Sequence, residues 1–216
     1  FLIALNKRLR DQNWFKLNNF VEPDLIKILD LVSLGTVCDV VPLIGLNRAI
    51  VKQGLKILKK KKNLGLKTLI EQNDIGNNIT AYHLGYVLGP RINAGGRVGK
   101  SSHGANLLLN GNPQEAFRLT IELNNYNKER QILETSLLNK IMNTNFEYKS
   151  DPVIILHGED WHEGIIGIIA ARVKEKFNKL KIIISVSDGV GKGSARSIYG
   201  FDIGSTIIGA VQAGLL

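Results

Sequence analysis

The sequence predicts an α/β protein with a mostly helical first half, one long helix, and a strand–helix–strand segment after it. Apolar residues recur at steps of three and four along most of the first half, which indicates amphipathic helices. No glycine or proline occurs between Pro113 and Pro152. After Ser150 the apolar residues form short runs separated by a helical pattern, which is typical of two parallel strands joined by a crossover helix.

The first half is predicted to hold several helices and one break. We predict helices over residues 1–10, 23–34, 47–60, 66–72 and 80–88. Pro23 suits the start of the second helix, because the N–H that proline lacks is not needed in a first turn. Gly35 is expected to end that helix, and Asn47 to cap the next. The glycine-rich stretch 89–104 is expected to interrupt regular structure.

The second half begins with a clear helix start at Asn112-Pro113. A helix of about 30 residues from there would be about 45 Å long. Such a helix suits a connector between two lobes. Strands are then predicted over 153–156, 181–186 and 192–198, and helices over 164–177 and 202–216. Because so few strands make an incomplete sheet, we expect the second lobe to be cut short.

The composition indicates which class of partner the protein binds and in which cellular compartment it acts. The 216 residues include 28 lysines and arginines against 19 aspartates and glutamates, a formal net charge of +9, which favours polyanionic partners. One cysteine, Cys38, excludes an internal disulfide framework and a zinc site of several thiolates. No apolar run approaches the ~20 residues of a membrane helix, and no signal peptide is recognisable. We expect a cytoplasmic protein without a membrane partner, and a piece of a longer chain.

Asp39 is the first candidate for chemistry. It stands among Val37, Val40 and Val41, so we expect its carboxylate to be buried. A buried charge must be paired, neutralised or bound to a cation, and Mg²⁺ and Mn²⁺ prefer such hard oxygen ligands. The alternative is that Asp39 caps a turn or pairs with an arginine.

Two glycine-rich segments combine small residues with arginine. Residues 89–100 hold two arginines and 191–197 hold two hydroxyls and one arginine. Glycines let the backbone approach a phosphate closely, and guanidinium groups bind its oxygens in pairs. The alternatives are an ordinary flexible loop for the first segment, and a β-turn with an exposed arginine for the second.

A polar and aromatic cluster, residues 159–164, precedes a predicted helix. A metal site at His162 is disfavoured, because adjacent helix positions do not face one point. We expect instead that Trp161 or His162 lines a nucleotide groove, where bases stack on aromatic rings. The alternative is a strand-to-helix turn with Trp161 packed over it as a lid.

Five segments occur in this order: LGTVCDVVPL, LNRAIV, LGPRINAGGRVG, WHEGIIGIIAARVKEKF and GKGSARSIYGFDI. Each alone is a weak signal. Together, in order and at these spacings, they resemble the RecJ single-stranded-DNA-specific exonucleases of the DHH phosphoesterase superfamily. The resemblance spans nearly the whole chain.

The resemblance implies an architecture and an activity. Residues 1–111 would form the C-terminal helical part of the DHH catalytic lobe, 112–149 the connector helix, and 150–216 a truncated, substrate-binding DHH-associated lobe. The family hydrolyses single-stranded DNA from its 5′ end with two Mn²⁺ or Mg²⁺ ions. This implies a role in DNA repair and recombination, beside partners such as a helicase or a single-strand-binding protein.

The resemblance also implies roles for single residues. Asp39 matches a catalytic, metal-binding aspartate, which agrees with the carboxylate expected to be buried. Ser194 and Arg196 match the motif that holds the DNA 5′ phosphate and backbone. The full set of implied substrate-binding residues is Arg91, Asn93, Arg97, His162, Ser194 and Arg196.

The sequence also departs from the family pattern. The family's paired aspartates and Asp-His-His triplet would lie before Phe1, and its glycine-glycine-histidine motif beyond Leu216. Because one carboxylate cannot hold two ions, we expect this chain alone to lack appreciable nuclease activity. Two alternatives remain: a phosphoesterase for oligonucleotides or cyclic dinucleotides, and a non-catalytic nucleic-acid-binding or replication-complex module of the same fold.

Overall fold

The structure is a computed structural model that describes residues 1–143 and 151–215. The chain divides into two compact units. The first comprises Phe1–Ile92 and His103–Glu122, and the second comprises Asn93–Ser102 and Leu123–Leu216. Within the described residues, no helix is both long enough and apolar enough to span a bilayer.

The first unit is helical. Asp24 caps a short 3₁₀ turn, Leu25–Ile28, by accepting a hydrogen bond from the Ile26 N–H at 3.1 Å. A π-helical segment, His83–Leu88, leads into the glycine-rich stretch. The α-helices are α1 (Leu2–Asp11), α2 (Trp14–Leu17), α3 (Leu29–Cys38), α4 (Gly45–Leu58), α5 (Leu64–Glu71), α6 (Gly89–Ile92) and α8 (Ser102–Leu109), with α7 (Gly95–Val98) in the second unit.

The core of the first unit is aliphatic, as the spacing predicted. Leu66, Leu69, Leu84 and Leu88 are fully buried. α3 and α4 approach each other closely at Gly54, where a Cβ atom would lie 2.8 Å from the Leu29 carbonyl carbon. A glycine there allows two helix backbones to pack without a side chain between them.

Four local predictions for residues 1–104 are wrong: the helix start at Pro23, the helix end at Gly35, the Asn47 cap and the break over 89–104. α3 begins at Leu29 instead of Pro23 and continues through Gly35 to Cys38, because nothing near Gly35 obstructs a helix and Val40 supplies the left-handed residue that ends it. Asn47 lies inside α4 and donates to the Pro42 carbonyl at 3.1 Å instead of capping the helix. The stretch 89–104 is largely helical, in α6, α7 and the start of α8.

The long helix is confirmed. α9 (Pro113–Asn143) has 31 residues, and the Asn112 Oδ1 atom caps it by accepting from the Glu115 N–H at 3.1 Å. Residues 112–122 belong to the first unit and the rest of α9 to the second. The last part of the predicted connector, residues 144–149, lies outside the described residues.

The second unit contains a three-stranded sheet in the order β1-β2-β3. β1 (Val153–Glu159) pairs parallel with β2 (Leu180–Ser187), with Val153 opposite Leu180. The predicted parallel pair joined by a helix, α10 (Glu163–Phe177), is therefore confirmed. β3 (Val190–Arg196) returns antiparallel to β2, and α11 (Ile203–Gln212) follows.

One face of α10 forms the core of the second unit. Its buried residues pack with Ile183 of β2 and with Leu137 and Ile141 of α9. The helix also lies beside β3 and α7. This packing fixes the N-terminal end of α10 against the two segments that the sequence marks as glycine- and arginine-rich.

Candidate nucleic-acid interface

An open cleft of about 490 Å³ lies at the N-terminal end of α10, wholly within the second unit. Three segments that are far apart in sequence form its walls: 93–97, 163–167 and 192–194. The polar residues that line it are Asn93, Arg97, Glu163, Lys192 and Ser194. Three of these were predicted to bind substrate.

His162 is the N-cap residue of α10. Its Nδ1 atom accepts a hydrogen bond from the Gly164 N–H at 3.1 Å. Nδ1 is therefore the acceptor, and the residue is exposed. The helix dipole is positive at this end of α10, which favours an anion there.

Arg97 joins α7 to the start of α10. Its Nη1 atom donates to the Gly164 carbonyl at 3.1 Å. Burial lowers the pKa of the Arg97 guanidinium, and the charge of Arg130 lowers it further, while Glu134 opposes the shift. An arginine with a lowered pKa remains charged at neutral pH, so a partly desolvated cation faces this cleft.

Gly164 makes the contact between α7 and α10 possible. A Cβ atom on Gly164 would overlap the Arg97 carbonyl oxygen and lie 2.7 Å from its carbonyl carbon. Backbone therefore packs directly on backbone at this point. The position of Arg97 relative to the N-terminal end of α10 is set by that contact.

Arg196, at the end of β3, reaches across to α10. Its Nη2 atom donates to the Gly167 carbonyl at 3.1 Å, and its Nη1 atom donates to the Ser194 Oγ at 3.1 Å and to the Ala195 carbonyl at 2.8 Å. The side chain is exposed. The guanidinium is thus held beside the Ser194 hydroxyl, with further N–H groups available to an oxyanion.

Lys192 and Glu163 form an exposed ion pair at the rim of the cleft, with Nζ 2.8 Å from Oε1. Exposed pairs of this kind contribute little to stability. A phosphate could therefore take the place of the Glu163 carboxylate at Lys192 at small cost.

A second charge cluster lies along α9. Glu134 accepts from Arg130 at 3.0 Å and from Arg172 at 3.5 Å. Arg130 also donates to the Asn127 Oδ1 atom at 3.1 Å. The positive charges of Arg130 and Arg196 both act on the Arg97 guanidinium, and the Glu134 carboxylate opposes them. The surroundings of Arg97 are therefore net positive.

A larger open cleft, about 1010 Å³, adjoins the first and shares Arg97 and Gly164 with it. Trp161 and His162 both line it. The Trp161 ring packs over Gly158, where a Cβ would overlap the indole ring, and also contacts the apolar core of the unit. Trp161 therefore acts as a packed lid on the strand-to-helix turn, the alternative interpretation of this segment, while still forming part of the cleft wall.

Asp39 does not have the burial that the sequence predicted. It is exposed, at the C-terminal end of α3, because the valines beside it belong to a helix-ending turn and do not enclose it. The buried carboxylate of this helix is Asp30, which is 3% exposed. Burial raises the pKa of Asp30, while its hydrogen bond from the Leu31 N–H opposes the shift.

Asp39 is followed by a strained residue. Val40 has a φ of 55°, the left-handed conformation that β-branched residues rarely adopt. The Val40 and Val41 N–H groups bond to the carbonyls of Val37 and Thr36, at 3.1 and 3.2 Å, which is a Schellman helix end. This turn fixes the direction in which the backbone leaves Asp39.

The described residues do not form a metal site by themselves. Among residues 1–143 and 151–215, no group of three or more His, Cys, Asp or Glu side chains is placed to hold an ion. Asp39 is an accessible oxygen ligand, so it could contribute to a site completed by other residues.

The glycine-rich segment is divided between the two units. Arg91 lies in α6 of the first unit, where its Nη1 atom donates to the Val87 carbonyl at 2.7 Å. Asn93 and Arg97 belong to the second unit. The structure thus brings Asn93, Arg97, Ser194 and, through its contact with Gly167, Arg196 to one cleft, with His162 beside it.

Sequence reasoning missed some residues that shape this site. Gly164 and Gly167 stand one helical turn apart at the start of α10, and Lys192 precedes the Ser194 hydroxyl by two residues. Two glycines in the first turns of a helix are an unfavourable choice for helix formation. The low helix propensity of these glycines is the feature of the sequence that could have indicated close packing at both positions.

The chain was compared with known proteins. Residues 150–213 match the DHHA1 domain family. The RecJ single-stranded-DNA-specific exonuclease of Salmonella typhimurium is 40% identical over 207 residues, which cover 92% of this chain and 36% of that protein. The Bacillus subtilis RecJ is 34% identical over 182 residues, 82% of this chain and 23% of that protein.

A solved structure shows the same fold. The crystal structure of Thermus thermophilus RecJ in complex with Mn²⁺ is 30% identical, with a TM-score of 0.78, over 92% of this chain and 29% of that one. The chain spans about a third of the length of the curated relatives it matches, 36% of the Salmonella protein.

Proposed function

Since this chain belongs to the RecJ family, we propose that it forms part of an exonuclease that hydrolyses single-stranded DNA from the 5′ end. The proposed role of its second unit is to bind the DNA backbone and terminal phosphate. Its first unit would contribute Asp39 to a catalytic site that other residues complete.

The observation that supports this proposal most strongly is that three distant segments of the chain meet at the N-terminal end of α10. Segments containing Arg97, Gly164 and Ser194 line one cleft although they lie up to about a hundred residues apart. Cations, a hydroxyl and the positive end of a helix dipole together fit the oxygens of a phosphate. The net charge of +9 adds a general attraction for polyanions.

Within the cleft, we assign the groups as follows. The Arg196 guanidinium and the Ser194 hydroxyl, which are already hydrogen-bonded to each other, would hold the 5′-terminal phosphate. Arg97 would bind the next phosphate oxygens. Asn93 in this cleft and His162 in the adjoining one would contact the nucleotide. Arg91, in the first unit, would contact the strand elsewhere.

Asp39 is proposed as one ligand of a pair of Mn²⁺ or Mg²⁺ ions, which are the ions bound in the Thermus RecJ structures. Divalent ions activate water and stabilise charge on a phosphoryl group. Because the described residues supply no complete ligand set, we expect this chain by itself not to cleave DNA. In the full-length protein, Asp39→Asn should abolish cleavage and leave binding of single strands within about twofold.

We further propose that the protein acts in the cytoplasm in DNA repair and recombination. There, single strands would be supplied to it by a helicase or carried by a single-strand-binding protein. These partners follow from the substrate alone, since an exonuclease of this kind needs an unwound strand with a free 5′ end.

The experiment that tests the proposal measures binding of this chain to single-stranded oligonucleotides with a 5′ phosphate or a 5′ hydroxyl. The label is placed at the 3′ end, and the salt concentration is varied. We expect tighter binding of the phosphorylated end, with a preference that persists at moderate salt. Arg196→Ala should remove most of that preference.

Arg8→Ala is the matched control, because it removes one exposed arginine of α1, far in sequence from the cleft segments. It should lower affinity for both oligonucleotides equally. Equal binding of both ends by the native chain, with a steep loss in salt, would mean that only the net charge acts. Mn²⁺-dependent digestion by the purified chain would contradict the assignment of the remaining ligands to residues outside it.

A further inference from the structure

Gly167 is a residue of the WHEGIIGI run whose role the proposed phosphate site leaves unassigned. It lies in the second turn of α10, a position where glycine costs a helix about 0.5–1 kcal/mol relative to alanine. Its φ is not in the left-handed region, so the backbone conformation does not require glycine. The reason for glycine must lie in what surrounds it.

Two side-chain atoms lie where a larger residue would project. A Cβ atom on Gly167 would be 3.2 Å from the Arg196 Nη2 atom and 3.3 Å from the Ser194 Oγ atom. Both distances are shorter than ordinary carbon contacts, which begin at about 3.4 Å. The atoms that would have to move are therefore the two proposed to hold the 5′ phosphate.

The same glycine also binds one of those groups. The Gly167 carbonyl accepts from Arg196 Nη2 at 3.1 Å, and Arg196 Nη1 donates to Ser194 Oγ at 3.1 Å. The bare helix surface at Gly167 thus lets the guanidinium lie against α10 and fixes its direction. Because only side-chain tips crowd this position, an added methyl group would not disturb the fold.

We infer that Gly167 is a positioning residue for recognition of the 5′ phosphate: its missing side chain seats the Arg196 guanidinium and the Ser194 hydroxyl on α10. This inference rests on the proposed function of the same cleft. The inference predicts that Gly167→Ala weakens recognition of the 5′ phosphate without lowering the stability of the fold. The helix gains a better helix former, whereas the phosphate-binding pair is displaced by a few tenths of an ångström.

The test measures two quantities in the full-length protein. The first is the ratio of dissociation constants for 5′-hydroxyl and 5′-phosphorylated single strands, determined by fluorescence anisotropy with a 3′ label and a chelator to prevent cleavage. The second is the melting temperature. Gly167→Ala should lower the ratio by about threefold or more and leave the melting temperature unchanged or raise it by about 1–4 °C.

Gly209→Ala is the matched control. Gly209 is also a helix-interior glycine of the second unit, in α11, but nothing lies within 4 Å of the position that its Cβ would occupy. This variant should gain similar helix stability and keep the native ratio. A drop in the ratio for both variants would show a general effect of the added methyl group and overturn the inference.

Arg196→Ala separates the inference from the proposed function, and a double variant tests whether Gly167 acts through Arg196. Arg196→Ala should lower the ratio by about tenfold, as expected for loss of a charge-assisted hydrogen bond. Adding Gly167→Ala to Arg196→Ala should change the ratio no further, because the displaced group is gone. An unchanged ratio in Gly167→Ala together with a reduced ratio in Arg196→Ala would overturn only the positioning role. An unchanged ratio in Arg196→Ala would overturn the proposed function of the cleft.

Discussion

The Arg97 backbone lies where a side chain on Gly164 would have to be: a Cβ atom there would be 2.7 Å from the Arg97 carbonyl carbon and 2.9 Å from its Cα. The Arg97 Nη1 atom donates to the Gly164 carbonyl across the same contact. One glycine therefore fixes both the backbone and the guanidinium of a proposed phosphate-binding arginine.

Gly164→Ala should destabilise the chain. Since backbone atoms cannot move as easily as side-chain tips, we expect the free energy of unfolding to fall by about 1–3 kcal/mol. Urea denaturation measures the change, and Gly209→Ala, with open space around it, is the comparison. Equal stability of the two variants would show that α7 does not pack on α10 as described.

The N-cap of α10 can be tested at His162. His162→Ala removes the acceptor of the Gly164 N–H and should cost about 1 kcal/mol of unfolding free energy. His162→Asn keeps a good capping acceptor and should retain most of the native stability. The melting temperatures of the native chain and the two variants measure these differences. Equal losses in both variants would mean that His162 stabilises the helix by packing and not by capping.

The burial of Lys181 predicts that the stability of the chain rises with pH in the alkaline range. It is fully buried in β2, with Nζ 5.0 Å from the centre of the Phe177 ring. Burial, and to a smaller extent the charge of Lys179, lowers the pKa of Lys181 from 10.5 to about 8. Between about pH 8 and 10.5 the unfolded chain binds the proton that the folded chain has lost, so stability rises with pH in this window.

Lys181→Met should therefore be more stable than the native chain below pH 8, where the buried charge is fully present. Its free energy of unfolding should also lack the rise between pH 8 and 10.5. Lys100→Met, at an exposed lysine of the same unit, should keep the native pH profile. Parallel profiles for Lys181→Met and the native chain would place the Lys181 charge in solvent.

The left-handed conformation of Val40, next to Asp39, predicts that glycine at this position stabilises the chain. Val40→Gly should raise the free energy of unfolding by about 0.5–1 kcal/mol, because glycine adopts the left-handed conformation without the steric cost of a branched side chain. Val41→Gly, at the next residue, whose φ is negative, should lower it. A loss of stability in Val40→Gly would show that the exposed valine contributes contacts that outweigh its strain.

The glycine-rich stretch shows why part of the fold could not be predicted. Its glycines were interpreted as breaks, yet none of Gly89, Gly95 or Gly104 has a positive φ. A Cβ on Gly104 would lie 2.5 Å from the Ile92 carbonyl oxygen, and one on Gly95 would lie 2.5 Å from that of Lys100. These glycines serve close packing within helices, and a local sequence pattern does not distinguish that use from a flexible turn.

By itself, the sequence determined the long helix α9, through the Asn112 cap and the absence of glycine and proline, and it determined the parallel pair β1–β2 through the change of apolar period. The helix cap and the apolar periods are local features of the chain, and the strand–helix–strand order predicts parallel pairing. The tertiary structure alone decided that Asp30 is buried and Asp39 exposed. It also decided that Arg97, Gly164, Gly167 and Arg196 meet at one helix end, because burial and close approach are set by residues distant in sequence, which no local pattern records.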